Sequence, residues 1–514
     1  LTPDRSDVKR DSEGVVQVQE LLEGFFSAEP IAVGTAQELA RYMAAKAKQL
    51  RDNAQRVLSQ EGELGPLHAL HQAFRETLIH DLDADQFADM YAQTLAYGLF
   101  SSCFELRRRE PGAEFDRFKA EHYVPRTNPF LRKVFDQIAG PDLDRSLEWI
   151  ANDIAELLNR ADMSQIAADF ARKPGREDPV VHFYEDFLRA YDPAKRKARG
   201  VYYTPEPVVS YIVRSIDHLL KEKFDKPLGL ADENVYILDP ACGTGTFLYF
   251  VIDQIHQNMQ EAGLAGVWPD YVRTKLLPRI FGFELLMAPY TIAHMKLAIQ
   301  LRDLGYDFSG DERLGVYLTN TLEEATEIVQ GQMQLGIQQA IARESEQAGE
   351  VKREKDIMVV LGNPPYSVSS HNQGTHIEGL MDRYKEAVRS ERNIQPLSDD
   401  YIKFLRFAHD RIERTGHGIV GMITNHAYLS GLIHRGMREE LMKTFPEIYV
   451  LDLHGSSRIG ETTPDGGKDE NVFDIQQGVA ISLMVRPDTD ELPTPDVHHA
   501  DLWGEREPKN ERLT

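Results

Sequence analysis

Three short stretches carry side chains whose types and spacing could do chemistry. The first, Gly362-Asn363-Pro364-Pro365-Tyr366, ends an apolar run. Its two prolines fix the backbone and remove two amide donors, which leaves the Pro364 carbonyl free to accept. With the Asn363 side-chain oxygen it offers two acceptors, matching the two N–H groups of an exocyclic amine. Drawing both hydrogens into that geometry moves the nitrogen toward sp3 and frees its lone pair to attack an electrophile, with no strong base needed. Tyr366 adds an aromatic face for a planar ring swung out of its stack.

The second stretch is Asp239-Pro240-Ala241-Cys242-Gly243-Thr244-Gly245-Thr246-Phe247, again at the end of an apolar run. Gly243 and Gly245 let the backbone approach a ligand and permit positive φ. A dinucleotide fingerprint needs a third glycine and a P-loop needs Gly-Lys-Ser/Thr; neither is present. An acid at the strand end favours a cationic or hydroxyl-rich ligand face, and S-adenosylmethionine has both. In the third stretch, Gly282-Phe283-Glu284-Leu285, the carboxylate can accept two hydrogen bonds from ribose hydroxyls, with Leu285 against an adenine ring.

These stretches need elements to hold them. After Asp192-Pro193, short β-branched runs alternate with helical stretches: Val235 to Asp239, Ile280 to Glu284, Leu314 to Leu318, Ile357 to Leu361 and Ile419 to Thr424. Ile448 to Leu453 and Val479 to Val485 close the series. The alternation predicts an α/β fold, a Rossmann-like domain of seven mostly parallel strands over 193–487, with the last strand as a hairpin edge. The polar segment Leu322 to Asp356 reads as an exposed helix. Residues 1–192 read as all-α, with apolar stripes at Phe87, Tyr91, Leu95 and Leu99 and at Leu147, Ile150, Ile154 and Leu158. Asp83-Ala84-Asp85 supplies a cap for the first. His68, His71 and His80 lie close in sequence, but a zinc site needs three or four converging ligands, so no metal is expected.

The chain has 514 residues, 42% hydrophobic and 27% charged, ordinary for globular domains. No apolar run reaches the roughly eighteen residues that would suggest a membrane span. Cys103 and Cys242 are far apart and lack metal spacing, which fits a reducing cytoplasm. The net charge of −24 argues mildly against nucleic acid, since phosphate contacts need Lys and Arg. Local basic clusters do occur at Arg107-Arg108-Arg109 and at Lys195-Arg196-Lys197-Ala198-Arg199. Leu1-Thr2-Pro3-Asp4-Arg5 is neither a signal peptide nor a translation start, so a piece of a longer polypeptide is expected.

From Lys195 to Arg486 the sequence resembles the gamma-class adenine-N6 DNA methyltransferases, in motif order as well as content. Gly200-Val201-Tyr202-Tyr203-Thr204-Pro205 looks like the family's segment against the methionine end of S-adenosylmethionine. The resemblance implies Tyr203 and Thr204 at the methionyl carboxylate. It implies Asp239, Pro240, Ala241, Gly243 and Gly245 in the cofactor pocket, and Glu284 and Leu285 at the ribose and adenine. Asn320 stands where the family often has an acid bonded to the adenine; an amide can still pair with that ring. Asn363, Pro364, Pro365 and Tyr366 take the catalytic place. Leu453-His454-Gly455-Ser456-Ser457, Asp469-Glu470-Asn471-Val472-Phe473-Asp474 and Gln476-Gln477-Gly478-Val479-Ala480 resemble single-polypeptide ISP-type restriction-modification enzymes. That likeness implies double-stranded DNA as partner and Phe473 stacking on a flipped adenine opposite Tyr366. It also implies a helical coupler over 1–192 leading from an upstream nuclease, often through a helicase motor, and the start of target recognition over 488–514. The sequence departs from those enzymes in having no helicase P-loop and no Asp…Glu-x-Lys nuclease cluster.

Other readings stay open at this level. Glutamine methyltransferases acting on release factors also use Asn-Pro-Pro-Tyr, but place it nearer the glycine turn than the roughly 120 residues from Gly243 to Asn363. Cytosine-N4 methylation uses the same chemistry, more often with Ser in place of Asn363. A non-catalytic adaptor built on this fold is the alternative from another class.

Overall fold

The computed structural model describes residues 33–62, 65–79, 82–124, 128–140, 143–166, 179–191, 204–308, 310, 312–324, 337–367, 370, 372–489 and 491–514. Its first part is helical: α1 (Ala36–Gln60), α2 (Pro66–Thr77), α3 (Ala84–Arg109), α4 (Pro129–Ala139), α5 (Arg145–Arg160) and α6 (Pro179–Tyr191). The α3 stripe Phe87, Tyr91, Leu95 and Leu99 is buried, and the expected cap is a full capping box in which Asp83 and Gln86 satisfy each other's backbone amides. The α5 stripe is buried as well. His80 and the basic cluster at 195–199 lie outside the described residues. His71 is buried with Nε2 2.8 Å from the Leu82 carbonyl, as a core histidine would be.

The second part alternates strand and helix: α7 (Glu206–Lys223), β1 (Ile237–Asp239), α8 (Thr246–Glu261), β2 (Ile280–Glu284), α9 (Met287–Asp303), β3 (Val316–Leu318), α10 (Ile337–Glu354) and β4 (Val359–Gly362). There follow α11 (Thr375–Lys385), α12 (Asp400–Thr415), β5 (Gly418–Asn425), α13 (Arg435–Thr444), β6 (Glu447–His454), β7 (Val479–Arg486), β8 (Asp496–Asp501) and α14 (Arg506–Leu513). The sheet runs β3-β2-β1-β4-β5-β7-β6-β8. Strands β1 to β5 are parallel, β7 is antiparallel to both β5 and β6, and β8 is parallel to β6. Among the described residues no helix is long and apolar enough to cross a membrane.

All seven expected strands form within 193–487, and an eighth, β8, joins the sheet from beyond them. Two expectations need correcting. Strand β7 is not an edge: it threads between β5 and β6, where its run Val479 to Val485 is buried on both faces and apolar but for Ser482, whose hydroxyl pairs with that of Tyr428. The edge is β8, every residue of which is exposed. It and α14 come from residues beyond Pro487, and Leu513 of α14 is 1% exposed. The described part of the polar segment, α10, is not an exposed helix. Its Ala340, Ile341, Glu344, Ala348 and Val351 are buried, against β3, α2 and α4.

Side chains alternate between two cores, as strand geometry requires. Ile237, Ile280, Val359 and Ile419 join one cluster that continues into the helical part, whereas Leu238, Phe281, Val360 and Val420 join another beneath α11, α12 and α13. Helix α9 carries the connection between helical part and sheet, packing on α3 and α6 as well as on β2 and β3. A polar node reinforces it. Glu344, fully buried, accepts from the Tyr290 hydroxyl at 2.9 Å, from the Leu318 amide at 2.9 Å and from Arg313 at 2.5 Å. Asn128 at the start of α4 donates to the same Tyr290 hydroxyl at 2.6 Å. Removing one member of a buried pair strands the other charge, at about 3–5 kcal/mol. Glu344→Ala should therefore lower the unfolding free energy by that order in a urea titration, whereas a substitution at exposed Glu346 should leave the midpoint in place.

Candidate functional site

Strand order reverses direction between β1 and β4: β2 and β3 extend one way from β1, β5 the other. Such a switch point opens a crevice at the carboxyl ends of the strands, where open α/β sheets bind ligands. The residues at those ends are Asp239 of β1 and Gly362-Asn363 of β4, with Glu284 of β2 beside them.

The glycine turn is shaped as the sequence suggests. Gly243 and Gly245 have φ of +53° and +79°, and Gly245 caps α8 in a left-handed conformation. A Cβ on Gly245 would come within 3.2 Å of Ala293 on α9. Glu284 closes the turn: one carboxylate oxygen accepts from the Gly243 amide at 2.9 Å, the other from the Leu286 amide at 2.8 Å. Burial pushes the Glu284 carboxyl up to about 7 against the pull of these amides. Asp239 is fully buried; burial, with the Glu284 charge nearby, pushes it up to about 8. Its Oδ1 accepts from the Ala241 amide at 3.1 Å, while Oδ2 has no hydrogen-bond partner.

The Asn363 loop is held from two sides. Asn363 Nδ2 donates to Thr204 Oγ1 at 3.0 Å, which joins the segment before α7 to the end of β4. The Tyr366 hydroxyl donates to Asn363 Oδ1 at 3.2 Å, and its ring meets Tyr401 edge-to-face at 5.9 Å. Tyr366 remains partly exposed. At the end of β3, Asn320 donates to Glu323 at 3.1 Å and to Asn372 at 3.0 Å, and neighbouring Thr321 donates to the Pro240 carbonyl. Leu285 is half-buried against the core.

So the structure brings Thr204, Asp239, Pro240, Gly243, Glu284, Asn320, Asn363 and Tyr366 to one end of the sheet; Tyr203 lies outside the described residues. Phe473 is different. Only 4% exposed, it packs into the core cluster with Val472 and Val479, its amide bonded to Asn471 Oδ1 at 2.8 Å. Stacking on a base would require its loop to open. Sequence reasoning also missed the start of α12. Asp399 accepts from the Ser367 amide at 2.8 Å, Asp400 from Ser370 at 2.5 Å and from Asn372 at 3.0 Å, and Tyr401 backs Tyr366. An acidic pair before a helix reads as a cap, and nothing in its spacing points to a loop thirty-odd residues upstream. Lys352 on α10 was missed too: it is buried, lowered to about 7 by that burial, and holds Thr319 Oγ1 and the Asn320 carbonyl at 3.0 and 2.7 Å.

A family model for N-6 DNA methylases matches residues 175–444, more than half of the chain. The chain belongs to the N-6 DNA methylase family. No curated protein sequence matches it significantly. Among solved structures it is similar to an ATP-dependent Type ISP restriction-modification enzyme, LlaBIII, bound to DNA (TM-score 0.71, 24% identity), over 93% of this chain and 31% of that one. It is similar also to a nuclease-deletion mutant of the Type ISP enzyme LlaGI in complex with a DNA substrate mimic (0.69, 20%), over 98% of this chain and 38% of that one. A third is the DrdV–DNA complex (0.67, 24%), over 96% and 46% respectively. At such identities the likeness is one of fold, and this N-6 DNA methylase spans less than half the length of each of those chains.

The tightest constraint at the site is at Gly362, where a Cβ would lie 2.7 Å from Asp239 Oδ1. Gly362→Ala should therefore overpack the β1–β4 crevice and cost about 1–3 kcal/mol of stability, read as a lowered melting midpoint. An unchanged midpoint would mean that the two strands part more easily than their packing implies.

Proposed function

We propose that this chain is the modification part of a restriction-modification polypeptide and methylates adenine N6 in double-stranded DNA, with the target base flipped out of the helix. The observation that carries the reading is the pairing of Asn363 with Thr204 at the switch point. It fixes the amide by its nitrogen, so that Oδ1, which accepts from the Tyr366 hydroxyl, is the atom with a further lone pair for a substrate amine. Residues 1–192 serve as the helical coupler, 193–487 as the methyltransferase domain and 488–514 as the approach to target recognition. An upstream nuclease, with or without a motor, would belong to the longer polypeptide, and the reducing cytoplasm of a prokaryote is its setting.

The residues present fit S-adenosylmethionine. The partnerless Oδ2 of buried Asp239 is an acceptor waiting for a donor, beside a wall that only glycine can form at 362. Both Glu284 oxygens keep lone pairs after accepting from the turn, enough for ribose hydroxyls. Thr204, Gly243, Gly245, Leu285 and Asn320 complete the set, together with Tyr203. When bound, S-adenosylmethionine supplies an electrophilic methyl group on its sulfonium.

The chain's own residues then prepare the base. Asn363 Oδ1 and the Pro364 carbonyl accept the two amine hydrogens, and Pro365 holds that carbonyl in place. Tyr366, backed by Tyr401, offers its ring to one face of the adenine, and Asn363 Oδ1 keeps a second lone pair for the amine beside the bond it accepts from the Tyr366 hydroxyl. Phe473 would supply the opposite face once its loop opens.

Asn363→Ala should reduce methyl transfer to plasmid DNA by at least about 100-fold while the cofactor dissociation constant stays within about threefold, because the side chain acts on the base amine. An active variant would remove Asn363 from the mechanism. Binding should also depend on pH. Asp239 and Glu284 are raised acids in the ligand-free protein, so a ligand that selects their ionised forms binds with loss of protons. Cofactor affinity should rise from about pH 6 to about pH 9 and then level. Calorimetry in buffers of differing ionisation enthalpy would show the proton release, and Asp239→Asn should flatten the upper part of the rise.

A further inference from the structure

At the same end of the sheet, on the other side of β5 from the crevice, four ligand-type side chains converge that methyl transfer does not use. His426 follows β5, Asp452 and His454 end β6, and Glu461 comes from the loop between β6 and β7. His426 Nδ1 lies 3.0 Å from Asp452 Oδ1, and His454 Nδ1 lies 2.9 Å from Glu461 Oε1 and 3.8 Å from Asp452 Oδ1. One ligand atom from each of His426, Asp452 and His454 falls within 4.8 Å of the others. Four donors at about 2.0 Å around a tetrahedral ion stand about 3.3 Å apart, and the separations of 3.0, 2.9 and 3.8 Å lie around that spacing.

Its surroundings are those of a ligand set. The other nitrogen of His454, Nε2, lies 2.8 Å from Asp501 Oδ1 at the end of β8, the carboxylate partner that metal-bound imidazoles characteristically have. The His454 ring is stacked on Trp503 at 3.3 Å and 12°, which fixes its plane. Asp452 and Glu461 are each held by a backbone amide, from His454 at 2.9 Å and Ser456 at 2.8 Å. Gly478 makes room for His426: a Cβ there would sit 2.4 Å from the ring. Charge points the same way. Among the described residues no Lys or Arg forms an ion pair with Asp452, Glu461 or Asp501. The three carboxylates outnumber the two imidazoles even when both are protonated, and Asp452 and Glu461 are only 12% and 13% exposed.

We propose that His426, Asp452, His454 and Glu461 bind one divalent transition-metal ion of the zinc type, with Asp501 orienting His454. The ion is structural: it ties the loop after β6, which goes on to Phe473, to the ends of β5 and β6. The ligands escaped the sequence reading because they come from the ends of separate strands and show none of the close spacings of zinc motifs.

Elemental analysis of the protein, purified without chelator and dialysed, should find about one zinc per chain. His426→Gln and His454→Gln should each reduce it to background, while His499→Gln, an exposed neighbour, should leave it in place. Since either ligand variant could fail to fold, the unaltered protein provides a second reading. After chelation and cobalt addition it should show the visible absorption of a tetrahedral cobalt site, and the chelator alone should lower its melting temperature. Background zinc with no cobalt absorption would overturn the proposal, as would bound zinc that both histidine variants retain.

Discussion

The approach of β4 to β1 governs the architecture around the site. The two strands are parallel neighbours that send their connections to opposite sides, and they approach this closely only because Gly362 has no Cβ, which would lie 2.7 Å from Asp239 Oδ1. Into that space the fold places a carboxyl, Asp239, with one oxygen bonded to the backbone and the other to nothing. Such a group is costly to bury without a partner, and burial favours its neutral form. The protein thus keeps an unpaired carboxyl oxygen that becomes an acceptor for a donor-bearing ligand when the group ionises.

Around this crevice the fold supports each loop from behind. Glu284 spans the glycine turn, Lys352 holds the end of β3 from below, and the first residues of α12 fasten the loop after β4. The helical part takes its share through Glu344 and Tyr290, which join α4, α9, α10 and β3 in one buried polar node. The apolar core continues from the helices into the sheet as one cluster that includes Val316 and Leu318 of β3.

Much of this was legible in the residues. The five parallel strands appear as short β-branched runs because both their faces are buried, and three of them, β1, β2 and β4, end in the acids and glycine of the site, Asp239, Glu284 and Gly362. The same property hid the place of β7. A strand buried on both faces reads alike at the edge and in the interior, and its position depends on pairings of β5 and β6 that no local pattern encodes. Strand β8 was missed since Asp496 to Asp501 has only Val497 and Ala500 as apolar residues, with no alternation to mark a buried face, which an exposed edge can lack. Helix α10 misled through its Gln and Glu content: its buried face includes Glu344 and Lys352, polar residues satisfied by partners distant in sequence. Phe473 shows the limit of motif transfer, for a ring assigned to a base is packed into the core when no base is there.

The central claim is that this crevice and the Asn363 loop act on the exocyclic nitrogen of adenine. It is tested most directly by the chemical identity of the product. Full-length protein would be incubated with duplex DNA and methyl-labelled S-adenosylmethionine, the DNA digested to nucleosides, and the label located by mass spectrometry. Label is expected in N6-methyldeoxyadenosine alone. Label in N4-methyldeoxycytidine, or none in any nucleoside while the cofactor binds, would contradict the claim.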